Sequence, residues 1–160
     1  MRRIALLLAL VGLVLGGTRS EARIGDTEGQ LVTRFGAVQS RRAERIMESG
    51  RVYVLGERVV LKPEGWRITA VLINGHCAKI TYAKSGRWTE TQYDELLSEN
   101  ADRWAWQEIP GEVPKWQRTW QRSDGLVAKW MYASGFAIEG RAFVDACTRA
   151  AQNAQQTPAT

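Results

Sequence analysis

RITAVLINGHCAKITY, from Arg67 to Tyr82, carries the clearest structural signal in the chain. Two runs of β-branched and apolar residues flank Asn74-Gly75, and both turn residues tolerate the positive φ of a two-residue type I′ hairpin. Such a turn pairs Ile73 with His76, Val71 with Ala78 and Thr69 with Ile80. Those side chains are expected on one core-directed face, with Lys79 and Thr81 on the other.

Towards the N-terminus, Val52-Tyr53-Val54 and Val59-Val60-Leu61 are further short strand-like runs, broken by Gly56 and stopped by Pro63 to Gly65. The segment before them, Gln39 to Glu48, is polar and basic and reads as a loop or a short helix. Thr27 with Gln30 forms a capping box, which predicts a helix over about Glu28 to Phe35 closed by Gly36. Beyond the hairpin, Thr89 and Gln92 repeat that signature ahead of a helix from about Glu90 to Asn100, with Tyr93, Leu96 and Leu97 on its apolar stripe. Strands return in Lys115 to Arg122, Leu126 to Tyr132 and Phe136 to Ile138, separated by Ser123-Asp124-Gly125 and Ala133-Ser134-Gly135. A last helix starts near Arg141, with Phe143, Cys147, Ala150 and Ala151 on one face. Its order of helices and hairpins predicts an α+β domain: an antiparallel, hairpin-rich sheet with two or three short helices packed on one face.

Both ends of the 160-residue chain read as separate from this domain. Residues 1–22 have the form of a secretory signal peptide: Arg2-Arg3, an apolar run from Ile4 to Leu15, and Ser20-Glu21-Ala22 with small residues at −3 and −1. That run falls short of the ~20 apolar residues that span a bilayer, so no stable membrane span is expected after cleavage. Residues 23–151 then form one domain, and 152–160 a small, polar, flexible tail. Cleavage removes three arginines and one glutamate, so the net charge of +5 falls to +3 on the remaining 138 residues. The protein is therefore expected in the periplasm or outside the cell. A charge of +3 is modest, and with export it argues against a nucleic-acid partner. An oxidising compartment permits a Cys77–Cys147 disulfide closing a loop of about 70 residues, the alternative being two free, buried thiols.

Catalytic chemistry has no positive signal. His76 is the single histidine and adjoins Cys77, but neighbouring residues on a strand point to opposite faces, so they do not form a nucleophile–base pair. One histidine and two cysteines fall short of a zinc site. No phosphate-cradling glycine loop is present, and no cofactor is implied. Seven tryptophans are the unusual feature. They fill a small core, or they stand at the surface and stack on sugar rings or anchor a peptide. Along Lys115 to Arg122 the alternation places Trp116, Arg118, Trp120 and Arg122 on one side, a cation–π ladder that with Trp130 forms a candidate binding surface. Arg41, Arg42 and Arg45 form a solvated face or meet an anionic envelope polymer.

Several short motifs carry a likeness. Ile24-Gly25-Asp26-Thr27-Glu28 leading to Arg34-Phe35-Gly36, the Asn74-Gly75 hairpin ending in Ile80-Thr81-Tyr82, and Trp120-x-Arg122-Ser123-Asp124-Gly125 together resemble a group of small exported bacterial proteins of unknown function from Verrucomicrobia-like bacteria. The helix ending in an aromatic-Gly pair before a β-meander is also similar to β-lactamase-inhibitor proteins and to small outer-membrane assembly lipoproteins. That resemblance implies binding of proteins in place of catalysis. The chain departs from the lipoproteins in having no cysteine to lipidate near its cleavage site. The expectation is an exported, non-enzymatic module that binds a protein or another envelope component through its sheet face. A polysaccharide-binding module using surface tryptophans is the alternative.

Overall fold

The computed structural model describes residues 23–101, 105–110, 117–132 and 135–156. The proposed leader, the end of the tail, Trp104 and Trp116 lie outside them. Helix α1 (Glu28–Phe35) precedes strands β1 (Val38–Glu48), β2 (Arg51–Leu61), β3 (Trp66–Ile73) and β4 (His76–Lys84). Helix α2 (Glu90–Asn100) follows, then β5 (Gln107–Glu108), β6 (Gln117–Gln121), β7 (Val127–Met131), β8 (Gly135–Glu139) and helix α3 (Arg141–Gln156). The strands form one antiparallel sheet in the order β1-β2-β3-β4-β8-β7-β6-β5, so two four-stranded meanders meet along the β4–β8 seam. The α+β architecture is as the sequence predicts.

Local signals explain where the first two helices begin. Thr27 and Thr89 each accept a hydrogen bond from the backbone of Gln30 or Gln92, whose side chain reaches back to the cap. The capping box thus satisfies two of the four orphan N–H groups at each helix start. Leu31 of α1 and Tyr93, Leu96 and Leu97 of α2 enter one core with Ile68, Ala70, Leu72, Cys77, Ile80, Tyr82, Trp120, Phe136 and Ile138. Helix α3 lies against the opposite face, where Phe143 meets Val71 and Ala78. Two helices therefore share one face and the third covers part of the other, so β3 and β4 are buried on both sides.

Three sequence expectations change in detail. Gln39 to Glu48, read as loop or helix, belongs to the 11-residue edge strand β1, paired with β2. Its polarity is that of an edge: charged side chains blunt an unpaired strand border while leaving it free to pair on the inner side. The Asn74-Gly75 turn forms with φ of 52° and 80°, and Ile73 pairs with His76 as expected. Beyond it a β-bulge intervenes: Leu72 faces Cys77, but Val71 faces Lys79 and Thr69 faces Thr81. The extra residue lets Cys77 and Ile80 share the α1–α2 core while Ala78 turns to α3. Finally, the last helix runs on to Gln156 within the segment expected to be a flexible tail.

The same two-sided sheet separates the cysteines. Cys77 sits in the core beneath α1 and α2, Cys147 packs on the α3 side, and both are free thiols. Burial, with the nearby Asp26 carboxylate, pushes the Cys77 thiol up to about 12. The expected outcome of alkylation is rapid labelling of Cys147 and none of Cys77 in the native protein, with both labelled after unfolding without reductant. Mass spectrometry of the labelled peptides reads this directly.

On the α3 side of the sheet, Glu139 receives hydrogen bonds or ion pairs from Lys129 at 2.9 Å and Lys79 at 2.8 Å. Burial would raise the Glu139 carboxyl, but the two ammonium groups outweigh it and hold it below its ordinary value. A carboxylate depressed in the folded state stabilises the fold above its unfolded pKa and loses that effect as pH falls through the folded one. Thermal unfolding followed across this range is expected to show Glu139→Gln costing about 1–2 kcal/mol at neutral pH. The gap to wild type should close below the ordinary carboxylate range, about pH 4.

Candidate functional site

The face that carries Arg118, Trp120 and Arg122 is the one roofed by α2. Trp120 is 0% exposed and packs against Tyr93 and Phe136 at centroid distances of 5.9 and 5.8 Å. Its indole face is therefore core and offers no platform to a ligand. The two arginines on either side of it hold the two ends of α2. Arg118 makes bidentate hydrogen bonds to Glu90 in the first turn of the helix, at 2.6 and 2.7 Å, and to Glu108 of β5, at 2.8 Å each. Arg122 donates to the Asn100 carbonyl at the last turn, at 2.6 Å, pairs with Asp124 and lies 5.5 Å from the Trp106 ring centroid. Four residues of strand and ten of helix cover similar distances, about 13 and 15 Å, so one strand spans the length of the helix.

Where α2 begins, this sheet face opens into a cleft of about 790 Å³. Trp88, Tyr93, Trp130 and Tyr132 form its aromatic lining, with Lys84, Arg87, Glu90 and Arg118 among them. Each wall follows from a local rule. Trp88 precedes the Thr89 cap and stacks on Tyr93 in the second turn (centroids 5.9 Å apart, planes at 6°), a hydrophobic staple that fixes how the chain enters the helix. Trp66 meets Trp88 edge-on at 5.5 Å, and Lys84 lies over both rings. Trp130, cross-strand partner of Arg118, meets Tyr93 edge-on at 5.6 Å. Gly135 opens β8 at φ 87°, where an added Cβ would collide with the Tyr82 carbonyl, so the start of β8 sits tight on β4. Tyr132, on that turn, is 81% exposed.

The cleft is preset and cationic at its rim. Hydrogen bonds that the Arg118 guanidinium donates to Glu108, against the cost of partial burial and joined by those to Glu90, push it further above its ordinary value. Burial likewise raises the Tyr93 phenol, with Glu90 adding to the shift and Arg118 and Arg87 opposing it. Both groups thus keep one protonation state at neutral pH, which suits positioning and charge recognition over proton transfer. Arg118 also lies 5.4 Å from the Tyr93 ring centroid and 4.9 Å from that of Trp120. The indole N–H groups of Trp120 and Trp130 are buried without a partner among the described residues.

Of the residues read from sequence as a binding surface, the structure brings Arg118 and Trp130 into the cleft, places Trp120 beneath it and leaves Arg122 at the far end of α2. Trp116 lies outside the described residues. Sequence reasoning missed Trp88, Lys84 and Tyr132; Trp88 was legible as the apolar residue before a capping box. His76 does not meet the Cys77 thiol: its ring nitrogen bonds the Gly25 carbonyl at 3.0 Å, while Cys77 Sγ bonds the Lys79 carbonyl at 3.4 Å. With the Asp26–Cys77 and Cys77–Gly25 backbone bonds, that contact ties the N-terminal segment to β4. Among the described residues, no group of three or more His, Cys, Asp or Glu side chains is placed to hold a metal, and no helix is long and apolar enough to cross a membrane. The chain matches no family model, no curated protein and no solved structure.

Arg118→Met removes four charge-assisted hydrogen bonds and is expected to destabilise the fold by about 2–3 kcal/mol in denaturant titrations. Arg118→Lys should recover less than half of that, because one ammonium cannot bridge two carboxylates bidentately.

Proposed function

We propose that the protein is an exported, non-enzymatic module that binds a protein or another envelope component, with the cleft at the start of α2 as its seat. The observation that carries this reading is the composition of the cleft: two tryptophans, two tyrosines and two arginines converge on one concavity. Trp, Tyr and Arg are the residue types that dominate binding hot spots, since they give large contact area and directed charge at low entropic cost. Preorganisation of Arg118 by Glu90 and Glu108 lowers what a partner must spend to order the site. The signal-peptide pattern in residues 1–22 supports the same reading.

A second reading, a polysaccharide held in the same cleft, is favoured by the half-buried faces of Trp88 and Trp130 beside the exposed Tyr132. Sugar rings stack on such aromatic faces.

Tyr132→Ala tests the seat without disturbing the core, because the side chain is almost wholly exposed. Retention of envelope components on immobilised wild-type and variant protein, followed by calorimetry with the retained species, is expected to show affinity reduced about tenfold or more by the variant. Unchanged affinity would remove the cleft from consideration. Retention that survives protease but is lost to glycosidase treatment would favour the polysaccharide.

A further inference from the structure

At the opposite edge of the sheet, the β1–β2 hairpin outruns its neighbour. β2 pairs with β3 only over Glu57–Leu61, whereas β1 and β2 pair on to Glu48 and Arg51. The ladder from Arg45–Val54 to the Ser49-Gly50 turn therefore forms an arm reaching about 12 Å past β3. Helix α3 backs one face of this hairpin: it packs on β1 and β2, and Leu55 joins Cys147 against the Val71, Ala78 and Phe143 cluster. The other face is bare. Met47, Val52 and Val54 are 71%, 57% and 64% exposed, half of the six large hydrophobic residues left exposed among the described ones. Register places Met47 beside Val52 and Arg45 beside Val54, so the three apolar side chains form one patch with Arg45 at its base.

The cations around the patch are arranged unlike those elsewhere. Arg41 is bound to Glu28 and Glu57, and Arg58 to Glu44. Arg42 and Arg45 are exposed and make no ion pair among the described residues, and with Ala43 and Arg58 they line a notch of about 380 Å³ at the strand edge. Arg42 stands opposite Arg58 in the ladder, on the face that also carries Glu44, and meets Arg45 only around the β1 edge, where both line the notch. An apolar patch with cations at its base matches the layered chemistry of a bilayer surface, where acyl chains lie beneath anionic headgroups.

We propose that the β1–β2 arm docks on an anionic lipid bilayer along its β1 edge, with Met47, Val52 and Val54 entering the interface and Arg45 and Arg42, one from each face of that edge, meeting headgroup phosphates. The binding is interfacial, and depends on both components because neither three small apolar groups nor two charges suffice alone.

Vesicle co-sedimentation of the full mature chain tests this. Binding is expected to phosphatidylglycerol–phosphatidylcholine vesicles and to fall at least about tenfold on pure phosphatidylcholine. Met47→Ser/Val52→Ser/Val54→Ser should lower binding about tenfold or more, and Arg42→Gln/Arg45→Gln about thirtyfold, at about 1 kcal/mol per cation. Both variants alter exposed side chains, and circular dichroism checks that their fold is kept. Equal binding to neutral vesicles, or full binding by either variant, would overturn the proposal. So would displacement from vesicles by inorganic phosphate beyond that of chloride at equal ionic strength, which assigns the notch to a free anion. A dimer in sedimentation velocity that is lost in the triple variant would assign the patch to a second copy of the chain.

Discussion

The hold of one strand on one helix organises the cleft end of the molecule. β6 carries Arg118, Trp120 and Arg122 on a single face, and α2 lies along it. Arg118 fixes the first turn through Glu90, Arg122 satisfies a carbonyl of the last turn, and Trp120 fills the space between. Polarity suits both ends: Glu90 lies at the positive N-terminus of the helix dipole and Arg122 at the negative C-terminus. Trp106 adds a hydrogen bond from its indole at 2.9 Å to the Leu97 carbonyl, which also accepts the Ala101 N–H that closes the helix. Removing the strand would leave α2 with only its apolar stripe, too little for a helix of 11 residues. The cleft exists because this clamp stops at Glu90, where the roof begins and the sheet beyond stays open.

How much of this was legible follows from where each signal resides. Capping boxes, the Asn74-Gly75 turn and helix periodicity are local, and the elements they specify fall where the residues put them. The edge strand β1 was hidden because Arg41, Arg42, Glu44 and Arg45 answer to solvent and ion pairs, so no apolar alternation marks it. The bulge at Ala78 was hidden because its cause is tertiary: only a sheet buried on both faces requires Cys77 and Ile80 on one side and Ala78 on the other. The alternation of Arg118, Trp120 and Arg122 was visible, but whether that face looks out to solvent or in to α2 depends on a helix distant in sequence. Trp88 shows the opposite case, a site residue whose position was written in a cap motif.

Ion pairs divide the molecule into regions of different character. Around the cleft they are shared and directional, as in the Glu90–Arg118–Glu108 bridge, and they set geometry more than net charge. On the α3 side Glu139 pairs with two lysines and its side chain lies 13% exposed, a compact triad between strands. At the β1 edge the arginines outnumber their carboxylates, and the excess falls beside the bare apolar tip. The modest positive charge of the chain is thus concentrated locally, which matters more for surface encounters than the total.

The seam between the meanders bears on how the chain reaches this state. β1 to β4 are joined by tight turns and can pair as they leave the synthesis machinery, whereas the partner of β4 on its other side is β8, more than fifty residues later. Until β8 is in place, the outer edge of β4 presents unpaired backbone beside Ile80 and Tyr82, the kind of border that invites foreign strands. Closing so distant a contact is entropically slow. Assembly of the second meander is therefore the step at which a nascent chain is most exposed to aggregation and most in need of a holding factor.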